Sequence, residues 1–178
     1  MEKPLFLEEQ QVSQRRMLKT ILITTMFGMG ILGYWFIRLN YSRKSVTGEV
    51  FSDPSFVVIV LLFLAILAVV IVINSIARLR TKIEKDGIYV RYFPYKKKWE
   101  KISVSGIHSY RLRKYRPYRE YGGYGIKDRR RSGKAYIISG RTGLQLHLKN
   151  GKRILIGTQK KQAIIYAMDK VMKGKKTA

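Results

Sequence analysis

The residues of this chain best suited to chemistry are cations interleaved with tyrosines. Lys96, Lys97 and Lys98 follow one another, Arg111, Arg113 and Lys114 stand in "YRLRKYRPYR", and Arg129, Arg130 and Arg131 close the stretch "EYGGYGIKDRRR". Such groups recognise anions, because guanidinium forks and ammonium groups donate charge-assisted hydrogen bonds to phosphate or carboxylate oxygens. Neighbouring tyrosine rings can pack or stack beside the bound group. Gly122, Gly123 and Gly125 permit backbone with positive φ, so they read as loop geometry that turns the chain toward its arginines.

Catalytic patterns do not emerge. From residue 78 onward the acids Glu84, Asp86, Glu100, Glu120, Asp128 and Asp169 are scattered singly, with only His108 and His147 beside them. Neither a carboxylate pair, a triad nor a metal-ligand cluster is spelled out. The chain has no cysteine, hence no thiolate nucleophile and no Cys-based zinc site. The expectation is a protein that is not an enzyme, with no catalytic residue, no metal site and no cofactor. His147 falls on the polar face of its strand, and His108, sharing a face with Tyr110 and Leu112, reads as a buried structural histidine. "SGKA" at 132–135 lacks the leading glycine and the Ser/Thr of a phosphate-binding P-loop. "GMGILG", Gly28 to Gly33, matches G-x-G-x-x-G by letter, yet no strand precedes it and it lies within an apolar run, so close helix packing is the better account.

Two apolar runs dominate the first half. "TILITTMFGMGILGYWFI" from Thr20 has no charge and would reach about 27 Å as a helix, and "SFVVIVLLFLAILAVVIVINSIA" from Ser55 would reach about 34 Å. The second is apolar around its whole circumference, unlike a soluble helix. A cleaved signal peptide fits the first run poorly, since an acidic arm precedes it and no small-x-small cleavage site follows. Expected divisions are an N-terminal arm at 1–16, read as a short amphipathic helix, a first span at 17–38, a short external loop at 39–54 and a second span at 55–77. Arg15, Arg16, Lys19, Arg78, Arg80, Lys82 and Lys85 flank the spans on the terminal side, against Arg38, Arg43 and Lys44 in the loop, which predicts both termini in the cytoplasm. Tyr34, Trp35 and Tyr41 fall where an interfacial aromatic belt would lie.

From Arg78 the pattern changes to alternation broken by turns, and residues 78–178 carry 29 Lys+Arg against 6 Asp+Glu, nearly the whole of the +25 net charge. In "DGIYVRYFP" an Asp86-Gly87 turn leads into Ile88, Val90 and Tyr92, which alternate with Tyr89, Arg91 and Phe93. Leu144, Leu146 and Leu148 alternate with Gln145, His147 and Lys149 before the Asn150-Gly151 hairpin signal. Ile164, Ala167, Met168 and Val171 recur at helical spacing opposite lysines, predicting a closing helix over about 159–172. The fold class is therefore a membrane α-helical hairpin of two spans plus a mainly-β domain at 78–178. Six to seven antiparallel strands capped by one C-terminal helix have the layout of a pleckstrin-homology-like (PH-like) barrel.

Three segments carry a resemblance: "YRPYREYGGYGI", "GKAYIISGRTGLQLHLKNGKRILIGTQKK", and the "DGIYVRYFP" hairpin after two spans. Together they resemble a family of small bacterial membrane proteins, common in the Bacteroidetes lineage, with a PH-like domain and no established function. Tyr124 stands where that family typically has tryptophan, and Arg129 to Arg131 lengthen its loop. The resemblance implies a multi-pass protein of the bacterial cytoplasmic membrane, and no chemistry.

The sequence thus points to a membrane-anchored binding or scaffold module. A short tether keeps its cations near anionic lipid headgroups, each worth up to ~1 kcal/mol. The anionic-surface candidates are Lys96, Lys97, Lys98, Arg111, Arg113, Lys114, Arg129, Arg130 and Arg131. An acidic protein partner, or assembly with a second copy of the chain in a membrane complex, is the alternative. Tethered nucleic-acid binding is weaker, because no recognised module accompanies the basic, tyrosine-rich surface.

Overall fold

The computed structural model describes residues 4–43 and 54–176, so the expected external loop falls largely outside the described residues. The chain divides into two compact units, one of residues 13–75 and one that joins the residues up to Val12 to those from Ile76 onward.

The first unit is two helices, α1 (Gln14–Arg43) and α2 (Pro54–Ile76). Both are long and apolar enough to cross a membrane, their most apolar 18-residue stretches having mean hydropathies of 1.6 in α1 and 3.8 in α2. Four of their polar side chains bond within their own helix. Thr20, Thr24, Asn74 and Ser75 each donate to the helix carbonyl four residues back, so these groups need no outside partner. A β-carbon at Gly28 would fall on the Phe63 ring, whereas Gly30 and Gly33 face open space. One glycine of the "GMGILG" stretch thus makes room for the other helix.

The second unit is mostly β. Its first sheet has the order β1-β2-β3-β4, all antiparallel: β1 (Phe6–Gln11), β2 (Arg78–Ile83), β3 (Gly87–Phe93) and β4 (Lys96–Ser103). A 3-10 turn at Val104–Gly106 leads into the second sheet, ordered β5-β8-β9-β7-β6. Its strands are β5 (Ile107–Lys114), β6 (Gly125–Arg129), β7 (Gly133–Ile137), β8 (Thr142–Leu148) and β9 (Arg153–Gly157). The β7–β9 pair is parallel and the others antiparallel. A short helix α3 (Pro117–Tyr121) links β5 to β6, and α4 (Lys161–Lys176) follows β9.

Alternation places Leu79, Ile83, Ile88, Val90 and Tyr92 from the first sheet against Leu144, Leu146 and Ile156 from the second, and Ile164, Ala167, Met168 and Val171 of α4 join this core. A smaller cluster of Tyr115, Tyr121, Ala135, Ile137 and Leu155 covers the other side of the second sheet. Burial on both faces explains why "AYII" and "ILI" are continuous apolar runs rather than alternating ones.

Three expectations are corrected here. The β unit is two sheets that do not close into a barrel, and the described residues hold nine strands instead of six or seven. With no barrel end to plug, α4 packs on the core shared by the two sheets. Residues 6–11 form strand β1, not an amphipathic helix, with Phe6, Glu8 and Gln10 directed inward. Finally, His108 is exposed, because a register irregularity between Ile107 and Ser109 turns it off the buried face.

Candidate anion-binding surface

The glycine-rich stretch folds as a helix end. Pro117 starts α3, where its missing N–H costs nothing, and Gly122 ends it in the left-handed region at φ 74°. The Gly122 and Gly123 amides then donate to the carbonyls of Tyr118 and Pro117. A β-carbon at Gly122 would collide with the Arg129 guanidinium, so this glycine serves both the turn and the seat of an arginine. Tyr118 and Tyr124 meet edge to face at 5.6 Å, with Tyr118 exposed.

Arg113, read from the sequence as a surface cation, is instead built into the fold. Its Nη1 donates to Glu120 at 2.6 Å, its Nη2 to the Tyr121 hydroxyl at 3.0 Å and its Nε to Gln145 at 3.1 Å. Glu120 also accepts the Arg116 amide at 2.6 Å. Burial raises the Glu120 carboxyl pKa, but these donors outweigh it and hold the group below its ordinary value.

The remaining candidates fall into two sets. Arg111 and Lys114 are exposed on β5, one edge of the second sheet. Arg129, Arg130 and Arg131 run into the β6–β7 turn at the opposite edge and line a cavity of about 660 Å³. The β8–β9 turn closes that cavity with Lys152 and Arg153, which the sequence reading missed. The two turns meet because β7 and β9 run in parallel with Lys134 opposite Ile154. Gly133, at φ 79°, permits the approach, since a β-carbon there would strike the Arg153 carbonyl oxygen.

Glu100 and Asp128 are the acids of this cavity. Glu100 is shared by Lys134 and by Lys96 of the β4 lysine run. Burial pushes its carboxyl up, yet the two ammonium groups dominate and hold it at about 2, so Glu100 is ionised at neutral pH. It thereby ties Lys96 to the cavity, while Lys97 and Lys98 remain exposed beside it. Arg129, Arg130 and Arg131 are exposed, giving the cavity a cationic rim. Among the described residues no group of three His, Cys, Asp or Glu side chains converges as a metal site would require.

A family model matches residues 4–173, nearly the full described length. The chain belongs to DUF6141, a family of unknown function. The DUF6141 match runs from β1 through both apolar helices and both sheets into α4, so the N-terminal strand is as much part of the family as the β unit it completes. No curated protein and no solved structure matches the chain.

Proposed function

We propose that this DUF6141 protein is a membrane-anchored binding module whose basic surface contacts anionic lipid headgroups, and that it binds without catalysing a reaction. The observation that carries the reading is the cavity of about 660 Å³ where Arg129, Arg130, Arg131, Lys152 and Arg153 converge against Glu100 and Asp128. Two sheets packed on one core with a C-terminal helix support a PH-like description of the domain, as an open variant of that layout.

The membrane part of the proposal places both termini in the bacterial cytoplasm. Support comes from the register of β1 and β2. Gln11 pairs with Arg78, so the chain leaves the β unit toward α1 and returns from α2 at adjacent positions of one strand pair. The two ends therefore share a side, and the cationic flanks make it the inner one, so reporters fused before Met1 and after Ala178 should read as internal, and one inserted at 44–51 as external. An external reading at the C-terminus would overturn this topology.

Lipid contact is tested on the full chain in mild neutral detergent, titrated with a fluorescent short-chain phosphatidylglycerol. Replacing Arg129, Arg130 and Arg131 together by glutamine removes three charges worth up to ~1 kcal/mol each, so affinity at low salt should fall by about ten- to a hundredfold with the melting temperature unchanged. Wild-type binding through this exposed rim should also weaken toward physiological salt, where screening acts over about 8 Å. Equal binding by the triple variant and the wild type at low salt would sink the proposal. A second reading, assembly with a protein partner, is favoured by a groove of about 530 Å³ that includes Leu5, Val104 and Val171. A stoichiometric protein co-purifying with a chain that ignores anionic lipid would support it.

A further inference from the structure

A second group of arginines, none of them among the candidates read from the sequence, lies on the outer face of the first sheet. Arg80 of β2 stands directly opposite Arg91 of β3, and Arg78 lies two residues along on the same face. Like charges opposite one another across a ladder repel. Glu9 of β1 answers two of the three: its carboxylate accepts from Nε of Arg80 at 2.7 Å and lies 3.3 Å from Nε of Arg78. One carboxylate thus faces three guanidinium groups.

The imbalance shows in the hydrogen bonds. Nη1 of Arg78 and Nε of Arg91 are buried without an acceptor, so two charged N–H groups have lost water and gained nothing. Between these side chains lies a cavity of about 360 Å³, lined by Arg78, Arg80 and Arg91 on its polar side and by Ile76 and Phe93 on its apolar side.

We propose that this niche binds the phosphate group of an anionic phospholipid. A phosphate diester supplies what the niche lacks: negative charge between opposed arginines, and acceptor oxygens matched to guanidinium forks. The apolar wall distinguishes the lipid from free phosphate, because Ile76 and Phe93 offer a surface to glycerol and acyl carbons that an inorganic ion cannot use. Ile76 is the last residue of α2, and Ala77 alone separates it from β2. The inference rests on the membrane reading, but it involves different residues from the rim at Arg129 to Arg131.

The test uses the full chain in neutral detergent, wild type beside Arg91→Gln and the triple glutamine variant of Arg129, Arg130 and Arg131. The probe is short-chain phosphatidylglycerol, with inorganic phosphate as a second arm. A partly enclosed phosphate resists screening, so the wild type and the triple variant should retain binding at physiological salt, and Arg91→Gln should lose it by about tenfold or more. Without lipid, Arg91→Gln should melt higher than the wild type, since it removes the repulsion with Arg80. Full retention of high-salt binding by Arg91→Gln, or a lower melting temperature without lipid, overturns the niche and leaves the rim reading intact. Loss of low-salt binding in the triple variant bears on the rim alone. Displacement of the lipid by equimolar inorganic phosphate overturns the lipid assignment and makes the site one for free phosphate.

Discussion

A chain that stops at Thr158 should lose the cooperative melting of its β unit. The deletion removes α4, whose Ile164, Ala167 and Met168 are at most 1% exposed and whose Val171 is 6% exposed. Burying Ile164, Met168 and Val171 is worth roughly 1.5–3 kcal/mol each, or about 5–9 kcal/mol together, comparable to the roughly 5–15 kcal/mol that holds a whole domain. Removal also strips the cover from Leu144, Leu146 and Ile107 and deprives the Tyr110 hydroxyl of Asp169. Limited proteolysis of the full and shortened chains in detergent reads the outcome. A shortened chain whose segment 78–158 resists protease as well as the full one does would show that α4 is dispensable to the core.

Glu8→Ala is expected to have the next largest effect, about 3–5 kcal/mol, from a position no hydrophobicity plot would single out. Glu8 is 2% exposed, and its carboxylate accepts from the Thr158 hydroxyl at 2.7 Å and from the amides of Gln159 and Lys160 at 2.7 and 3.2 Å. Those amides precede α4, so the carboxylate acts where a helix start favours negative charge. Alanine leaves the Thr158 hydroxyl and the Gln159 amide without an acceptor, at about 1–3 kcal/mol each before water enters the gap, while the Lys160 amide keeps the Thr158 hydroxyl oxygen at 3.1 Å. Glu8→Gln keeps one acceptor oxygen and should cost about 1–2 kcal/mol. Thermal melts of the two variants should rank them in that order; an alanine variant within about 0.5 kcal/mol of the wild type would mean that the Thr158 hydroxyl and the Gln159 amide do not depend on Glu8.

Much of the β unit was legible because local signals agreed with the fold. The Asn150-Gly151 turn, the inward Ile88, Val90 and Tyr92, and the buried stripe of α4 all follow from alternation, turn chemistry and helical period, whereas the β2–β3 turn falls one residue early, on Lys85-Asp86, with Gly87 already the first residue of β3. Strand β1 was not legible, because two of its three inward residues are polar: Glu8 holds the start of α4, and the Gln10 amide donates to the Gly157 carbonyl at 2.7 Å. Their partners lie some 150 residues downstream. Sheet closure was equally hidden, since alternation reports which face of a strand is buried and not which strands pair at its edges.

The candidate surface divides in the same way. A run such as Arg129 to Arg131 is visible as charge, and its exposure follows from its place in a turn. That Lys152 and Arg153 join it depends on the parallel pairing of β7 with β9, which no local pattern encodes. That Arg113 does not join it depends on Glu120 and Tyr121 of α3 and Gln145 of β8 meeting it from two separate elements. The Arg78, Arg80 and Arg91 niche likewise needs the register that sets Arg80 against Arg91.

The bond from Glu8 to Thr158 spans 150 positions of the chain, and this separation sets a schedule for biosynthesis. At about 5–20 residues per second, a ribosome needs roughly 8–30 s to travel from one partner to the other. During that interval β1 can pair with β2 as soon as Ile83 has emerged, but Glu8 waits without its final donors. The β unit therefore cannot lock in order of synthesis. The first strand is held early by its ladder to β2 and late by Glu8, so its attachment is complete only once the start of α4 has emerged.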